Sequence, residues 1–179
     1  MPISKKILKH LEKNKVSYTI VPHKKVYTAY DLAGTLKEDL KKIAKTLLVK
    51  ADKSYYLVVV PARYQLDFGK IKKGLKAKKV EIVAEQAMLK ILKSGVGAIT
   101  PFGSLEDIQV LLDKTFFKVK EMIVGAGTFT DSLKIKVKDF LKVEEPLLLS
   151  IGVLKKVKKV KKQIKKVVKK PVKKLRRKK

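Results

Sequence analysis

The last 25 residues are the feature that most limits how this chain can fold. Residues 155–179 contain 16 lysines and arginines and no acidic residue, and charge of one sign at this density cannot be buried in a core. The chain has a formal net charge of +29, of which +16 falls on this segment and +13 on the residues before it. We therefore expect the folded part to come from roughly the first 150 residues, which is one domain of ordinary size.

One apolar stripe with the period of a helical face runs into the basic segment. Its members are Val153, Val157, Val160, Ile164 and Val167. Because lysines repel one another on the other faces, we expect disorder in the free protein and a helix on a polyanion, ending at Pro171. A nucleic acid, an anionic membrane surface or an acidic protein would suit this charge. The stripe lacks Trp and Phe, which favours nucleic acid over a membrane. The predicted nucleic-acid contacts are Lys155, Lys158, Lys162, Lys166, Lys170, Arg176 and Arg177.

Composition excludes several kinds of chemistry. The chain has no cysteine and two histidines, His10 and His23. This excludes disulfides and cysteine nucleophiles and argues against a thiolate or multi-histidine metal site. No apolar run approaches the ~20 residues of a membrane-spanning helix, and the N-terminus lacks the apolar core of a secretory signal. We expect a cytoplasmic protein that uses no metal or cofactor.

Apolar periodicity predicts alternating helices and strands before the basic segment. Helices are predicted in SKKILKHLEKN, in TAYDLAGTLKEDLKKIA as one broken or two short helices, and in LDFGKIKKGL, AEQAMLKIL and KDFLK. Thr28 is a predicted N-cap, with Asp31 three residues later. Strands are predicted in VSYTIV, KTLLVK, YYLVVV, KKVEIV, IQVLLD, EMIVGAG and SLKIKV. The turn ADKS should join two of them as a hairpin central to the sheet. The pattern predicts an α+β fold with a mixed, largely antiparallel sheet.

A stretch without charge interrupts this basic chain. Residues 94–105 carry no charged side chain and include GVGAITPFG. Glycine permits positive φ, and Pro101 keeps Thr100 out of the α region, so this composition fixes an irregular backbone. Exposed amides in such a loop can donate to an anionic or carbonyl oxygen without any side-chain charge. On composition alone, an ordinary turn between a helix and a strand is the simpler interpretation. Neither a P-loop nor a dinucleotide fingerprint is present.

Seven motifs follow one another in the order PHKKVYTAYDLA, IAKTLLVK, YLVVVPA, LDFGKI, GVGAITPFG, VLLD and VGAG followed by DSLKI. Two of them carry sharper marks: Lys45 opens an apolar strand in AKTLLV, and Gly97 to Pro101 form a GXXXP loop in GAITP. In this order they resemble the YbaK and prolyl-tRNA synthetase associated editing family of trans-acting aminoacyl-tRNA deacylases. The resemblance covers nearly all of residues 3–143.

The resemblance implies a curved, mixed sheet flanked by helices, with a cleft for the aminoacylated 3′ end of tRNA. It places an editing domain at residues 1–146; the Lys/Arg-rich tail that composition predicts at 147–179, disordered or an amphipathic helix, is not a general feature of the family. The implied reaction is hydrolysis of the ester of a mischarged amino acid, in which the terminal ribose hydroxyl of the substrate helps to activate water. The implied partners are tRNA, through its 3′ end and acceptor stem, and a prolyl-tRNA synthetase.

The resemblance also implies roles for individual residues. Lys45, Gly97, Thr100 and Pro101 are the expected catalytic set, in which the lysine and the loop backbone position the ester and the phosphate. The expected substrate-binding residues are Tyr18, His23, Ala98, Ile99, Phe102, Gly103, Gly125, Gly127 and Asp131. Structural roles are the alternatives for three of them: core packing for Phe102, the cap of a local turn for Asp131, and a neutral histidine packed in a loop for His23.

The sequence leaves the substrate open. GAGTFTDSL departs from the pocket sequences of several subfamilies, and cysteine, alanine and other small residues on tRNA for proline are the range that the resemblance implies. A non-catalytic protein that binds tRNA or another nucleic acid on the same scaffold is the alternative function. Attachment to a membrane surface through the tail is a third.

Overall fold

The computed structural model describes residues 3–93 and 97–154, and this part of the chain contains five helices and ten strands. The helices are α1 (Lys5–Lys13), α2 (Ala29–Leu36), α3 (Phe68–Leu75), α4 (Glu85–Leu92) and α5 (Val137–Glu144). The strands are β1 (Tyr18–Pro22), β2 (Ala44–Ala51), β3 (Ser54–Pro61), β4 (Tyr64–Leu66), β5 (Val80–Ile82), β6 (Gln109–Asp113), β7 (Glu121–Gly125), β8 (Asp131–Lys136), β9 (Leu147–Leu149) and β10 (Gly152–Leu154). Short 3-10 helices lie at Gly103–Leu105 and Lys114–Lys118.

The predicted N-cap of α2 is confirmed. The hydroxyl of Thr28 accepts a hydrogen bond from the backbone N–H of Asp31 at 3.1 Å and donates to the Asp31 carboxylate at 2.7 Å. This satisfies a backbone donor that has no partner within the helix. The helix ends at Lys37, which adopts the left-handed conformation with φ of 52°. The predicted helical region is therefore one short helix followed by a turn.

The predicted hairpin lies inside a five-stranded sheet of order β5-β2-β3-β6-β9. β2 and β3 pair antiparallel along their whole length, from Ala44 opposite Pro61 to Ala51 opposite Ser54. The β3–β6 and β6–β9 pairs are parallel. A three-stranded antiparallel sheet of order β1-β8-β7 adjoins it through a bridge between Ile43 and Ile123. The α+β class with a mixed, largely antiparallel sheet is confirmed.

The five-stranded sheet is covered on both faces. On the face that we call the α1 side, Ala44 and Leu48 of β2 join a core built with α1, α4, α5 and the three-stranded sheet. On the opposite face, the α3 side, Val49 of β2 packs in a second cluster with Ile71 of α3 and Ile151. Side chains alternate between the two faces along β2 because its period is two residues.

The end of the described chain is folded, which corrects the predicted start of the tail. Residues 147–154, assigned to the tail from sequence, form β9 and β10, and Val153 lies opposite Gln65 in a β10–β4 pair instead of on a helix. Strands of three residues are too short to show a period, so the sequence carried little sign of them. Residues 155–179, with all seven predicted nucleic-acid contacts, lie outside the described residues, and the tail assignment for them stays a prediction.

Asp113 anchors this C-terminal segment to the end of β6. Its buried carboxylate accepts hydrogen bonds from the backbone N–H groups of Ile151 at 2.8 Å, Gly152 at 2.6 Å and Thr115 at 2.8 Å. A buried carboxylate is tolerated here because several donors replace its hydration. The Asp113 carboxylate therefore fixes the point from which β10 runs to pair with β4.

Candidate functional site

A cleft lies along the first half of β2, where the strand lacks a neighbour in the β5 ladder. β5 pairs with β2 only from Val49 to Ala51. The cleft has a volume of about 320 Å³, which suits a small ligand or part of a larger one. It is lined by His23, residues 26–30, Leu32, residues 44–48, Ile82, Val83, Met88, Gly97, Ile99, Gly125, Thr128 and Ser132.

Lys45 supplies the cationic group of the cleft. Its ammonium donates to the backbone carbonyl of Tyr64 at 2.5 Å, and no carboxylate of residues 3–93 or 97–154 lies within ion-pair distance of it. Partial burial lowers the pKa of Lys45 below its ordinary value, because burial penalises the charged form. One of three N–H donors is occupied, so the ammonium retains capacity for an anionic or carbonyl oxygen of a ligand.

Two glycines fix the 97–101 loop against the rest of the cleft. Gly97 has φ of +86°, and a Cβ built on it would lie 2.5 Å from the carbonyl oxygen of Tyr27. A Cβ on Gly125, at the end of β7, would lie 2.6 Å from the carbonyl oxygen of Ile99. Both positions therefore exclude any side chain, since real Cβ atoms do not approach a carbonyl oxygen so closely. The loop backbone is held between the start of α2 and the end of β7.

The backbone amides of this loop are available for a ligand. Within the described ranges, the N–H groups of Ala98, Ile99 and Thr100 donate no hydrogen bond. Of these three residues Ile99 lines the cleft, and an amide without a protein acceptor at such a position can stabilise negative charge that develops on an oxygen. Gly95 and Val96, which precede the loop in the neutral stretch, lie outside the described residues.

His23 and Ser132 form a hydrogen-bonded pair in the cleft. The Nδ1 of His23 lies 2.9 Å from the carbonyl oxygen of Lys24, and Nε2 lies 3.0 Å from the hydroxyl of Ser132. A carbonyl only accepts, so Nδ1 carries the hydrogen, and in the neutral ring Nε2 accepts from Ser132. The Ser132 oxygen keeps lone pairs for a donor on a ligand. Sequence reasoning missed Ser132, although it directly follows the predicted Asp131.

A second hydroxyl in the cleft is buried without a partner. The Oγ1 atom of Thr46, on β2 next to Lys45, makes no hydrogen bond to any part of the chain that the structure describes. An unsatisfied buried hydroxyl costs free energy that a bound ligand can recover. The Oγ1 atom of Thr100 is also buried and also lacks a hydrogen-bond partner among the described residues, although Thr100 does not line the cleft.

Exposed aromatic rings stand at the mouth of the cleft. Tyr27 is 56% exposed and Tyr30 is 50% exposed, although both line the cleft. The Tyr27 ring lies against Phe129, with a centroid distance of 5.2 Å, and the ammonium of Lys25 lies 5.4 Å from its centroid. Exposed rings beside a cation are a common platform for nucleobases. Sequence reasoning did not single out these tyrosines, which lie on either side of Thr28.

Comparison with known proteins places this geometry in a family. A profile described as an aminoacyl-tRNA editing domain matches residues 23–143, more than half of the chain. The chain belongs to the aminoacyl-tRNA editing domain family. As a member of it, the chain is an aminoacyl-tRNA deacylase, which confirms the family and the activity predicted from the motifs.

Two curated relatives are informative about this editing domain. It is 28% identical over 120 residues to the prolyl-tRNA editing protein ProX of Acetoanaerobium sticklandii, which covers 64% of this chain and 73% of ProX. It is 29% identical over 119 residues to the proline–tRNA ligase of Macrococcus caseolyticus, which covers 66% of this chain and 20% of the ligase. The editing domain thus spans about a fifth of such a ligase.

Solved structures share its fold. One, described as a candidate trans-editing enzyme for prolyl-tRNA synthetase, has a TM-score of 0.74 and 18% identity and covers 86% of this chain and 98% of its own. Another, a hypothetical protein, has a TM-score of 0.78 and 17% identity and covers 83% of this chain and all of its own. At these identities the likeness shows the fold alone.

The structure separates the predicted site residues of the editing domain into two groups. Lys45, Gly97, His23, Ile99 and Gly125 line the cleft together. The other predicted residues do not line it: Tyr18, Ala98, Thr100, Pro101, Phe102, Gly103, Gly127 and Asp131. No group of three or more His, Cys, Asp or Glu residues that could hold a metal ion occurs in residues 3–93 and 97–154. In the same ranges no helix has the length and apolarity needed to cross a bilayer.

Four of these residues make well-defined contacts within the protein. Phe102 is fully buried between His10 and Phe140, so it packs in the core and offers no platform for a base. Gly103 lies in a tight turn, where a Cβ would come within 2.1 Å of the Ile108 carbonyl oxygen. The Asp131 carboxylate accepts from the hydroxyls of Thr128 at 3.2 Å and Thr130 at 2.8 Å, as the cap of a local turn. Tyr18 packs against the core from β1.

Proposed function

We propose that this chain acts in trans on tRNA for proline that carries a wrong, small amino acid such as alanine or cysteine, and hydrolyses its ester. The observation that carries the proposal is that one cleft contains the Lys45 ammonium, which has no counter-charge among the described residues, and the loop residue Ile99, whose backbone amide has no acceptor there. The similarity to ProX and to a segment of a proline–tRNA ligase supports tRNA for proline as the substrate.

The proposed reaction uses positioning and backbone dipoles. Lys45 binds an anionic oxygen of the terminal nucleotide as a point charge. The backbone amide of Ile99, which lines the cleft, stabilises the negative charge that develops on the ester carbonyl oxygen when water attacks. The substrate's own terminal ribose hydroxyl orients that water, and the proton leaves with the ribose oxygen when the ester bond breaks. Because water attacks the ester directly, this reaction needs no nucleophilic side chain.

Ser132 and His23 have a different role in this proposal. Ser132 is nearly fully buried near the start of β8, opposite Val21 on one side and Gly125 on the other, and it lines the cleft. We place its hydroxyl against the amino group of the substrate, which donates to it while the hydroxyl donates to His23. Replacing Ser132 with Ala is then expected to change the choice of amino acid more than the rate of water attack.

The shape of the cleft supports a small aminoacyl group next to a terminal nucleoside. Its walls include Val26, Leu32, Leu48 and Met88, which suit an apolar side chain of limited size. We assign Tyr27 and Tyr30 at the mouth to stacking with the terminal base, worth about 1–3 kcal/mol per base in such platforms.

The wider setting follows from the same proposal. We propose that residues 155–179 hold the acceptor stem through phosphate contacts, and that the domain works beside a prolyl-tRNA synthetase in the cytoplasm, where mischarged tRNA is produced. In this proposal the neutral loop at residues 97–101 contributes to the reaction, and the charged tail at residues 155–179 contributes to the affinity for tRNA. Ligase activity is no part of the proposal, because the chain matches only a fifth of the ligase.

The test is deacylation of a panel of tRNAs for proline charged with proline, alanine, cysteine or serine. We expect the wild type to release one wrong amino acid selectively and Lys45→Ala to lose this activity. Lys50→Ala is the matched control, because Lys50 lies on the same strand and is half-buried but does not line the cleft. Binding without hydrolysis across the panel would reject the proposal in favour of a non-catalytic RNA-binding protein.

A further inference from the structure

Six lysines and no acidic residue lie between Phe68 and Val80. They sit on α3 and the turn after it, and all six are exposed. We call them the α3 lysines: Lys70, Lys72, Lys73, Lys76, Lys78 and Lys79. Ile71 of the same helix is buried in the cluster on the α3 side of the sheet, so helical spacing sets Lys70, Lys73 and Lys76 on the outward side.

The charge of the α3 lysines is largely free of acidic partners. Lys79 pairs with Glu81 at 2.7 Å, whereas the other five make no ion pair with the residues that the structure describes. Asp52 is the other carboxylate at this turn, and it accepts backbone N–H groups of Lys78 at 3.0 Å and Lys79 at 2.8 Å. These N–H groups first, and then the charges of Lys78 and Lys72, lower the pKa of Asp52. Its carboxylate therefore anchors the turn that carries these lysines.

The α3 lysines adjoin the cleft through β5. Lys79 directly precedes β5, and Ile82 at the end of this strand lines the cleft with Val83. A ligand that leaves the cleft over β5 therefore meets the turn at Lys78 and Lys79 and then α3. This is a path along a wall of the cleft that one extended polyanion can follow.

The last described strand, β10, lies close to α3. The backbone N–H of Asp67, the N-cap of α3, donates to the Ile151 carbonyl at 2.8 Å, and Leu154 lies opposite Tyr64 in the β10–β4 pair. Tyr64 is the residue whose carbonyl binds the Lys45 ammonium. Leu154, the last described residue, therefore lies beside β4, whose Tyr64 carbonyl binds Lys45, and the preceding Ile151 packs on the face that α3 covers.

We infer that the α3 lysines bind the phosphates of the double-stranded acceptor stem while the 3′ end of the same tRNA occupies the cleft. The inference rests on the proposed function and adds a defined contact surface on the folded domain. Exposed lysines that contact phosphates act as point charges and release condensed counterions, so their contribution depends on salt and not on base sequence. Lysines on a merely solvated face would show no such difference from lysines elsewhere.

The test compares two triple variants of the full chain. One carries Lys70→Gln, Lys73→Gln and Lys76→Gln on α3. The control carries Lys5→Gln, Lys9→Gln and Lys13→Gln on α1, which are equally exposed, remove the same net charge and lie on the opposite side of the sheet. The dissociation constant for uncharged tRNA is measured from 50 to 300 mM salt, with circular dichroism to verify folding. Hydrolysis of an aminoacylated adenosine, which has no stem, is measured in parallel.

We expect the α3 variant to bind tRNA at least about tenfold more weakly at 0.1 M salt, with a log–log salt slope shallower by about 2–3, since each duplex phosphate contact contributes about 0.9. Its hydrolysis of aminoacylated adenosine should equal that of the wild type, and the α1 control should bind tRNA nearly as the wild type does. Equal losses in both variants, or none in the α3 variant, would overturn the inference. So would an α3 variant that binds tRNA normally but loses binding to vesicles of anionic lipid. If the wild type hydrolyses no charged substrate, the proposed function fails, while the binding comparison still decides the role of this surface.

Discussion

Replacing Gly97 with Ala should separate catalysis from folding. A Cβ at this position would lie 2.5 Å from the Tyr27 carbonyl oxygen and 3.2 Å from its carbonyl carbon, and φ is +86°. The positive φ costs an L-residue about 1–2 kcal/mol. To restore an ordinary contact, the loop must also move by about 0.9 Å, and a displacement near 1 Å at a reacting centre costs about 100-fold in rate. We therefore expect kcat to fall about 100-fold, or roughly 2.7 kcal/mol in the barrier.

The assay is single-turnover deacylation of charged tRNA, with thermal unfolding measured on the same samples. Gly127→Ala is the matched control, because Gly127 has a similar φ of +79° but its added Cβ would meet only Ile7 at 3.5 Å, and Gly127 does not line the cleft. The two variants should lose comparable stability from backbone strain, while Gly127→Ala keeps its kcat. A Gly97→Ala protein within severalfold of the wild-type rate, or an equal loss in Gly127→Ala, would refute a catalytic role for the loop geometry.

Three further outcomes are expected. Because burial lowers the pKa of Lys45, kcat/KM should fall with rising pH below the ordinary lysine pKa of about 10.5. Over the same range the wild type should gain stability relative to Lys45→Met, since the unfolded state keeps its proton to higher pH; pH profiles of rate and of unfolding free energy test both signs. Asp113→Ala leaves three backbone N–H groups without their carboxylate and should cost about 3 kcal/mol or more in urea unfolding, whereas a cost under 1 kcal/mol would contradict the anchoring role. Deleting residues 155–179 should weaken tRNA binding and flatten its salt dependence while leaving slow hydrolysis at high enzyme concentration, and an unchanged salt slope would contradict the role of the tail.

Local signals explain what the sequence predicted well. The β2–β3 hairpin joins two long apolar runs across the short turn ADKS, so its pairing needs little information from elsewhere in the chain. The Thr28 cap depends on residues three positions apart. Gly97 was predicted from the family motif, and the structure supplies its physical reason, which is the backbone of Tyr27 at 2.5 Å from a potential Cβ.

Contacts between distant segments explain which features of the fold and of the site sequence reasoning missed. The parallel β3–β6 pair joins Tyr56 to Gln109, which is 53 positions later in the chain, and no local period marks such a pair. Ser132 becomes a cleft residue only because its strand carries it to His23, which is 109 positions away. Tyr27 and Tyr30 are recognisable as a rim only once their exposure is known, since aromatic residues around a helix start are more often part of a core.

Lys45 shows how the C-terminal strand can act on the cleft. Its ammonium is held by the carbonyl of Tyr64, Tyr64 lies in a three-residue strand, and that strand is paired with β10. Strands this short are weak unless they are anchored, and Asp113 provides the anchor at the start of β10. A displacement of β10 would therefore be transmitted to the Tyr64 carbonyl, the partner of Lys45, through a single strand pair. The neutral loop has no such connection among its described contacts, because Gly97 packs closely on the Tyr27 carbonyl and the Ile99 carbonyl packs closely on Gly125. The position of the Lys45 ammonium thus depends on the β4–β10 pair, whereas the 97–101 loop makes no hydrogen bond to that pair in the part of the chain that the structure describes.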